Sequence, residues 1–426
     1  MALFAPLRSL TPVQRRAFIA AFLGWCLDAF DFFLVTFVVA RIAQDFVLPI
    51  PTVAFAITVS LMFRPLGALI FGVLADRYGR RGPLMVSVAL YSLFELLSGF
   101  APNFTALIVL RALYGIAMGG EWGVGAALAL ETLPEDARGI ASGIIQQGYA
   151  TGYLIAALVY GFLFESIGWR GMFFVGVLPA LLVLYIRAGV TESPVWEATR
   201  GPRLGERLNL LGSMARAPLL YVYAILLMAA FNFMSHGSQD LYPTFLIKQH
   251  QFAPGMVRNV TVVMNVGAIV GGTLLGALSQ RVGRRITILA CCALGAATVP
   301  FWIGAQGAAL LAVSAFVMQF FVQGAWGVIP AHLNELSPGD VRGTFPGFTY
   351  QLGNLITAFA AQWEAAYATA KFPLPAPQGA DYGRAMELIM FGVFAAVFVL
   401  TAIGPERRGV SFGAGAVAAP ADPAPA

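Results

Sequence analysis

An all-α membrane protein, with twelve transmembrane helices in two pseudo-symmetric six-helix halves, is the fold class the sequence predicts. Three observations predict it. Of 426 residues, 59% are hydrophobic and only 11% charged, the balance of a chain that meets lipid on most sides. Apolar runs of about 20 residues recur along the chain, each long enough to cross roughly 30 Å of hydrocarbon as a helix. The chain also repeats itself: Gly72–Arg81, GVLADRYGRR, returns as Gly276–Arg285, GALSQRVGRR, at an offset of 204 residues. The same offset carries Trp122-Gly-Val, Glu131, Arg138-Gly, Gly143 and Gln147 onto Trp326-Gly-Val, Glu335, Arg342-Gly, Gly347 and Gln351. One register over separated segments makes residues 1–188 and 218–408 homologous halves. The stretch 189–217, rich in charge, Gly and Pro, is the cytoplasmic linker, and 409–426 is a low-complexity tail expected to be disordered.

The first apolar run, 18–40, follows Arg15 and Arg16. It is too long for a signal-peptide core and no cleavage site closes it, so it is read as a retained helix. Spans two to six are expected at 53–75, 82–101, 105–130, 139–163 and 169–188. Spans seven to twelve are expected at 218–243, 257–279, 285–304, 308–332, 343–366 and 385–404. An even number of spans puts both ends on one side. Eighteen of the 26 basic residues fall on that side, against Arg41, Arg170, Lys248, Arg258, Lys371 and Arg384 opposite, so both termini are expected in the cytoplasm. The net charge of +5 then reflects topology and not affinity for nucleic acid. Cys26, Cys291 and Cys292 lie in spans and suggest neither a disulfide framework nor a metal site. With no nucleotide-binding loop, metal-spaced cluster or nucleophile elbow, the sequence argues against an enzyme and implies no cofactor.

Chemistry concentrates in span seven, in the stretch Asn232–Thr244, NFMSHGSQDLYPT. Residues four apart share a helix face, so Asn232, His236 and Asp240 form one stripe with Ser235 and Gln239 beside it. A charge at bilayer depth costs at least ~2.5 kcal/mol, so such a stripe faces a cavity and marks a pathway. Hydrogen-bonded helix glue, worth ~0.6 kcal/mol per contact, is the competing reading, but it does not need two titratable groups one turn apart. The repeat offset superposes Asp28 on Asn232 and Asp31 on Ser235, so the first spans of both halves present polar faces to one centre. Asp28 and Asp31 are neighbours, and either could carry a proton, cap a helix or pair with an arginine. Arg64, beside Pro65 and Gly67, is the candidate anion ligand, since its fork suits a carboxylate. Arg111 is read as the partner of a carboxylate such as Asp31. Gln147 and Gln351 are repeat-related amides that could hold substrate or join helices. Glu95, Glu121 and Glu364 are candidate ion-pair members, His332 reads as solvated, and Phe30, Phe32 and Phe33 are candidate cavity walls.

Two halves meeting around a midplane site is the geometry of alternating-access carriers. GVLADRYGRR and Leu110–Gly119, LRALYGIAMG, resemble signatures of the major facilitator superfamily, over essentially the whole chain. The span-seven stretch resembles, in Asn232, Ser235, His236, Ser238, Gln239, Asp240 and Thr244, the signature of lactate and pyruvate permeases in the sialate/lactate:proton symporter family. Trp25–Phe33 and Gly119–Gly123 are similar to the same family. The resemblance implies proton-coupled symport of a short monocarboxylate in which Asn232, His236 and Asp240 take part, and Arg64, Gln147 and Gln351 join Asn232 and His236 as the expected substrate contacts. Proton coupling would fall to His236, Asp240, Asp28 and Asp31. The expected setting is a bacterial inner membrane, with the lipid bilayer, the acid and the proton as partners and a monomer as the unit. Rival readings are a symporter of another organic acid, sialate or a dicarboxylate, and an exporter of apolar drugs. A conformational latch is expected where Asp76, in the loop bearing Arg80, meets Arg342 at the N-terminus of span eleven. Its mirror, Arg138 against uncharged Gln280, can give at most a hydrogen bond.

Overall fold

The computed structural model describes residues 3–199, 210–375 and 378–412. Its helices, in chain order, are α1 (Ala5–Arg8), α2 (Pro12–Asp45), α3 (Ile50–Tyr78), α4 (Arg81–Gly99), α5 (Phe104–Gly119), α6 (Glu121–Thr132), α7 (Arg138–Gln146), α8 (Gly148–Val175), α9 (Ala180–Gly189) and α10 (Pro194–Thr199). They continue with α11 (Leu210–Arg216), α12 (Pro218–Gln239), α13 (Tyr242–Lys248), α14 (Pro254–Val282), α15 (Arg284–Gly304), α16 (Ala308–Trp326), α17 (Ile329–Leu336), α18 (Phe345–Ile356), α19 (Ala360–Lys371) and α20 (Tyr382–Ile403). Among the described residues, ten stretches are long and apolar enough to cross a membrane. They account for eleven of the twelve expected spans. Glu135–Gly189 holds spans five and six on either side of Gly168, whose φ of 63° turns the chain, and span eleven consists of α18 and α19, each too short by itself.

Several spans are broken where continuous helices were expected. Span six leaves helix between Val175 and Ala180, where Pro179 has no N–H to extend the ladder. Span seven breaks at Asp240 and Leu241, between α12 and α13. The linker is partly helical, in α10 and α11, while its Arg200, Arg203 and Arg207 lie outside the described residues. The tail also differs from expectation. Phe412 is buried, so the ordered chain runs past 409, and 413–426 lie outside the described residues.

The sequence repeat is a repeat of backbone geometry. Gly79 and Gly283 end α3 and α14 at φ 101° and 111°, a conformation that glycine alone enters freely, so each GRR loop turns identically. Large apolar side chains such as Phe162 and Leu219, 81% and 82% exposed, form the outward surface that a bilayer covers. On the face bearing both GRR loops, hereafter the basic face, the halves are closed on each other. α3 and α6 pack on α18, and α7 packs on α14 and α17. Ser142 of α7 donates to the carbonyl of Gly327 (2.7 Å) and accepts from the amide of Ala331 (3.0 Å), which ties one half to the other through backbone.

Candidate functional site

Two polar pairs stand out, one in each half. In the N-terminal half, Asp28 of α2 and Arg64 of α3 are buried at 1% and 4% exposure, with Arg64 Nη2 3.4 Å from Asp28 Oδ1. The guanidinium also meets Met118 Sδ and lies 5.3 Å from the Phe32 ring centroid. In the C-terminal half, the end of α12 places His236 Nδ1 2.9 Å from Asp240 Oδ2, with His236 half-buried and Asp240 exposed, and Asn354 of α18 approaches the imidazole. Tyr149 lies within electrostatic reach of Arg64, Asp28, Asp240 and Tyr350, members of both halves.

Aromatic rings gather between the halves. Trp25 stacks on Tyr149 with centroids 5.6 Å apart, and Tyr350 packs against Trp25, Trp122 and Trp326 at 6.2, 4.7 and 5.9 Å. These rings were not singled out from the sequence as a site. The available signal was the repeat-related pair Trp122 and Trp326, since one residue type held at the same place in both halves points to the shared interface. Of the expected aromatic walls, Phe32 and Phe33 are near the site, Phe33 edge-on to Tyr149 at 5.3 Å. Phe30 is instead a core residue, 1% exposed.

The polar stripe of α12 divides in two. His236 and Asp240 pair with each other. Asn232 turns back on the Met228 carbonyl (2.8 Å), while Gln239, Ser238 and Ser235 bond to Gln319 and Gln323 of α16. This second set is helix-to-helix joinery. Gln147, 3% exposed, points at the backbone of Gly272 on α14, and Gln351, 2% exposed, accepts from Asn354 (3.5 Å). Both therefore lie at packed contacts.

Three further expectations are corrected. Arg111 pairs with Glu95 of α4 at 2.8 Å, so the acid nearest its fork is not Asp31, whose two carboxylate oxygens have no hydrogen-bond partner. His332 is fully buried because α17 lies between the halves, so it is not solvated. Asp76 crosses the basic face, but not to the Arg342 side chain. It accepts from the amides of Gly343 (2.7 Å) and Thr344 (3.0 Å) and from Thr344 Oγ1 (2.6 Å), at the entry to α18. Arg80 backs it at 3.2 Å and reaches Glu131 at 2.9 Å, and Arg342 lies 4.0 Å from Glu131. The mirrored position, Gln280, accepts from the amide of Gly139 (3.1 Å).

Comparison with known proteins agrees with this architecture. Residues 21–361 match the model of the Major Facilitator Superfamily. The chain is 30% identical to the carboxylic acid transporter protein homolog of Saccharomyces cerevisiae, over 94% of this chain and 70% of that one. It is 32% identical to the probable 4-methylmuconolactone transporter of Cupriavidus pinatubonensis, over 84% of each. Among solved structures it is similar to the proton:xylose symporter XylE, with a TM-score of 0.75 at 19% identity, covering 93% of this chain and 97% of that one. With a twelve-span helical fold in two halves and these relatives, the chain belongs to the major facilitator superfamily and is a multi-pass membrane transporter, not an enzyme.

Proposed function

We propose that the protein is a proton-coupled symporter of short monocarboxylates such as lactate and pyruvate, working by alternating access. The observation that carries this reading is the buried Asp28–Arg64 pair in one half and the His236–Asp240 pair in the other, with members of both within electrostatic reach of Tyr149. Arg64 offers the planar fork that a carboxylate needs, but Asp28 already occupies it. A proton on Asp28 removes the competing charge and frees Arg64 for the anion. Proton and acid then load together, which is the logic of symport. His236 and Asp240 give the other half a titratable pair open to the same site. One anion with one proton moves no net charge, so the pH gradient drives uptake and membrane voltage contributes little. The basic face is the cytoplasmic one, by the distribution of arginines, and the working unit is a monomer in the plasma membrane.

The aromatic lining of Trp25, Trp122, Trp326, Tyr149 and Tyr350 favours a second reading, in which the preferred organic acid is larger and carries a flat ring. The 4-methylmuconolactone transporter as a relative supports it. Proteoliposomes under an imposed inward pH gradient separate the two. A panel of lactate, pyruvate and cyclic acids is offered while internal pH is recorded. Lactate-driven acidification is expected; proton entry with the cyclic acids alone supports the second reading, and acid entry without proton movement removes both.

A further inference from the structure

Four carboxylates are buried together in the N-terminal half: Asp28 and Asp31 on α2, Glu95 on α4 and Glu121 on α6, each no more than 1% exposed. Two guanidiniums lie among them, Arg64 and Arg111. Each arginine is committed to one acid, Arg64 to Asp28 at 3.4 Å and Arg111 to Glu95 at 2.8 Å. Arg111 also donates to Ser98 Oγ (2.7 Å) and the Phe94 carbonyl (3.5 Å) and lies over the Tyr114 face, 4.2 Å from the centroid. Asp31 and Glu121 have no ion-pair partner: Arg111 and Arg64 lie within their electrostatic reach but are paired with Glu95 and Asp28. Both oxygens of Asp31 and Oε2 of Glu121 also have no hydrogen-bond partner.

Two phenols complete the cluster. Tyr91 and Tyr114 are 0% and 1% exposed, and neither hydroxyl has a hydrogen-bond partner. Their electrostatic neighbours are the same acids: Asp31, Glu121 and Asp28, with the Cys26 thiol, around Tyr91, and Asp31, Glu95 and Asp28, with Arg111, around Tyr114. A phenol can donate a hydrogen bond to a carboxyl group but brings no positive charge. Leaving two carboxylates ionised here would cost several kcal/mol each, and a buried acid escapes that cost by taking a proton. A metal ion is the other way to cancel the charge, but among the described residues no group of three or more acidic, His or Cys side chains converges to hold one. Glu121 is also confined: its Oε1 packs against Gly24, where a Cβ would lie 1.9 Å away, so the side chain keeps its place by the absence of one on α2.

We propose that Asp31 and Glu121 form a proton-binding site in the N-terminal half that holds two protons while the basic face is closed, separate from the His236–Asp240 pair. Tyr91 and Tyr114 are its positioning residues. This deepens the symport reading by naming the groups that hold protons, yet its test does not pass through a substrate. Infrared spectroscopy of the purified full-length carrier in lipid at neutral pH reads the carbonyl stretch of protonated carboxyl groups. Asp31→Asn and Glu121→Gln should each remove one carboxyl equivalent of that signal and the double variant two, whereas Asp240→Asn should leave both. Tyr114→Phe should shift the band frequency without removing it. The wild-type protein decides first: absence of a protonated-carboxyl band at neutral pH overturns the proposal, whether or not any variant folds. A band unaltered by both substitutions, or one that sodium or potassium ions abolish, overturns it as well. A carrier that moved no carboxylate but kept both signals would sink the symport reading and leave this site standing.

Discussion

At the scale of single residues, the site turns on an arginine that is already occupied. Asp28 holds Arg64 at 3.4 Å, so any anion must compete with a resident carboxylate. Arg64→Lys keeps the charge and loses the fork. Apparent affinity for the acid should fall about tenfold, roughly 1.4 kcal/mol, and Arg64→Ala should do worse; unchanged apparent KM in both, at equal surface expression, would move the anion site elsewhere. His236→Ala and Asp240→Asn act on the opposite pair. Each should abolish proton-driven accumulation, because α12 offers no other titratable group within one turn, while substrate exchange survives better. Wild-type accumulation in either variant would exclude that residue from coupling. The His236–Asp240 pair was legible in the sequence because four-residue spacing fixes a shared helix face. The partner of Arg111 was not, because its contact with Glu95 joins different helices, and spacing along one chain segment says nothing about which acid a neighbouring helix supplies.

At the scale of elements, the basic face is closed by one contact made twice with different chemistry. Gly343 donates to Asp76 and Gly139 to Gln280, and these pairs are related by the 204-residue offset. Asp76 takes three bonds as a charged acceptor at the entry to α18, whereas Gln280 takes one across the halves as a neutral amide. Hydrogen bonds to charged groups contribute ~1.5–3 kcal/mol and neutral ones ~0.5–1.5. Asp76→Asn should therefore open the basic face by tenfold or more in population, on the order of 1.4 kcal/mol, and Gln280→Ala by only a few-fold. Distances between spin-labelled cysteines across that face read both shifts; equal displacement in the two variants would remove the asymmetry. Packing makes the same face sensitive to volume. A Cβ on Gly143 would fall 2.6 Å from the Gly272 carbonyl oxygen, so Gly143→Leu should wedge α7 from α14 and favour the open state in the same distance measurement.

At the scale of the whole molecule, what repeats is scaffold and what does not repeat is chemistry. Gly67 packs on the Ile116 carbonyl as Gly271 packs on that of Phe320, one offset apart, so both halves share their helix contacts. The charges break that symmetry: Arg64, Glu95, Arg111 and Glu121 fall opposite Ala268, Val299, Ala315 and Ala325. The repeat made the architecture legible, and its exceptions carried the site, but the burial of His332 and the aromatic centre depended on how the halves dock, which no local pattern encodes. Docking also gives the segment after α20 a task. Beyond α20, Gly409 turns at φ 79°, the Val410 carbonyl accepts from Arg138 (2.8 Å), and Phe412 lies 3.7 Å from the guanidinium carbon of Arg138 and 4.2 Å from that of Arg342. Those arginines belong to different halves, so one ring bridges both while the basic face is closed. Each contact is worth ~0.5–2 kcal/mol depending on desolvation, and opening must break at least one because the arginines move apart. Phe412→Ala should then raise the open population about tenfold, while Phe412→Trp, which keeps an aromatic face, should stay near wild type. Phe412→Leu separates the causes, since it retains apolar burial and loses the ring: a shift matching Ala assigns the closure to the cation–π contacts, and a value matching wild type assigns it to burial alone. If all three leave the distances across the basic face unaltered, Phe412 only rests on the closed state and does not hold it.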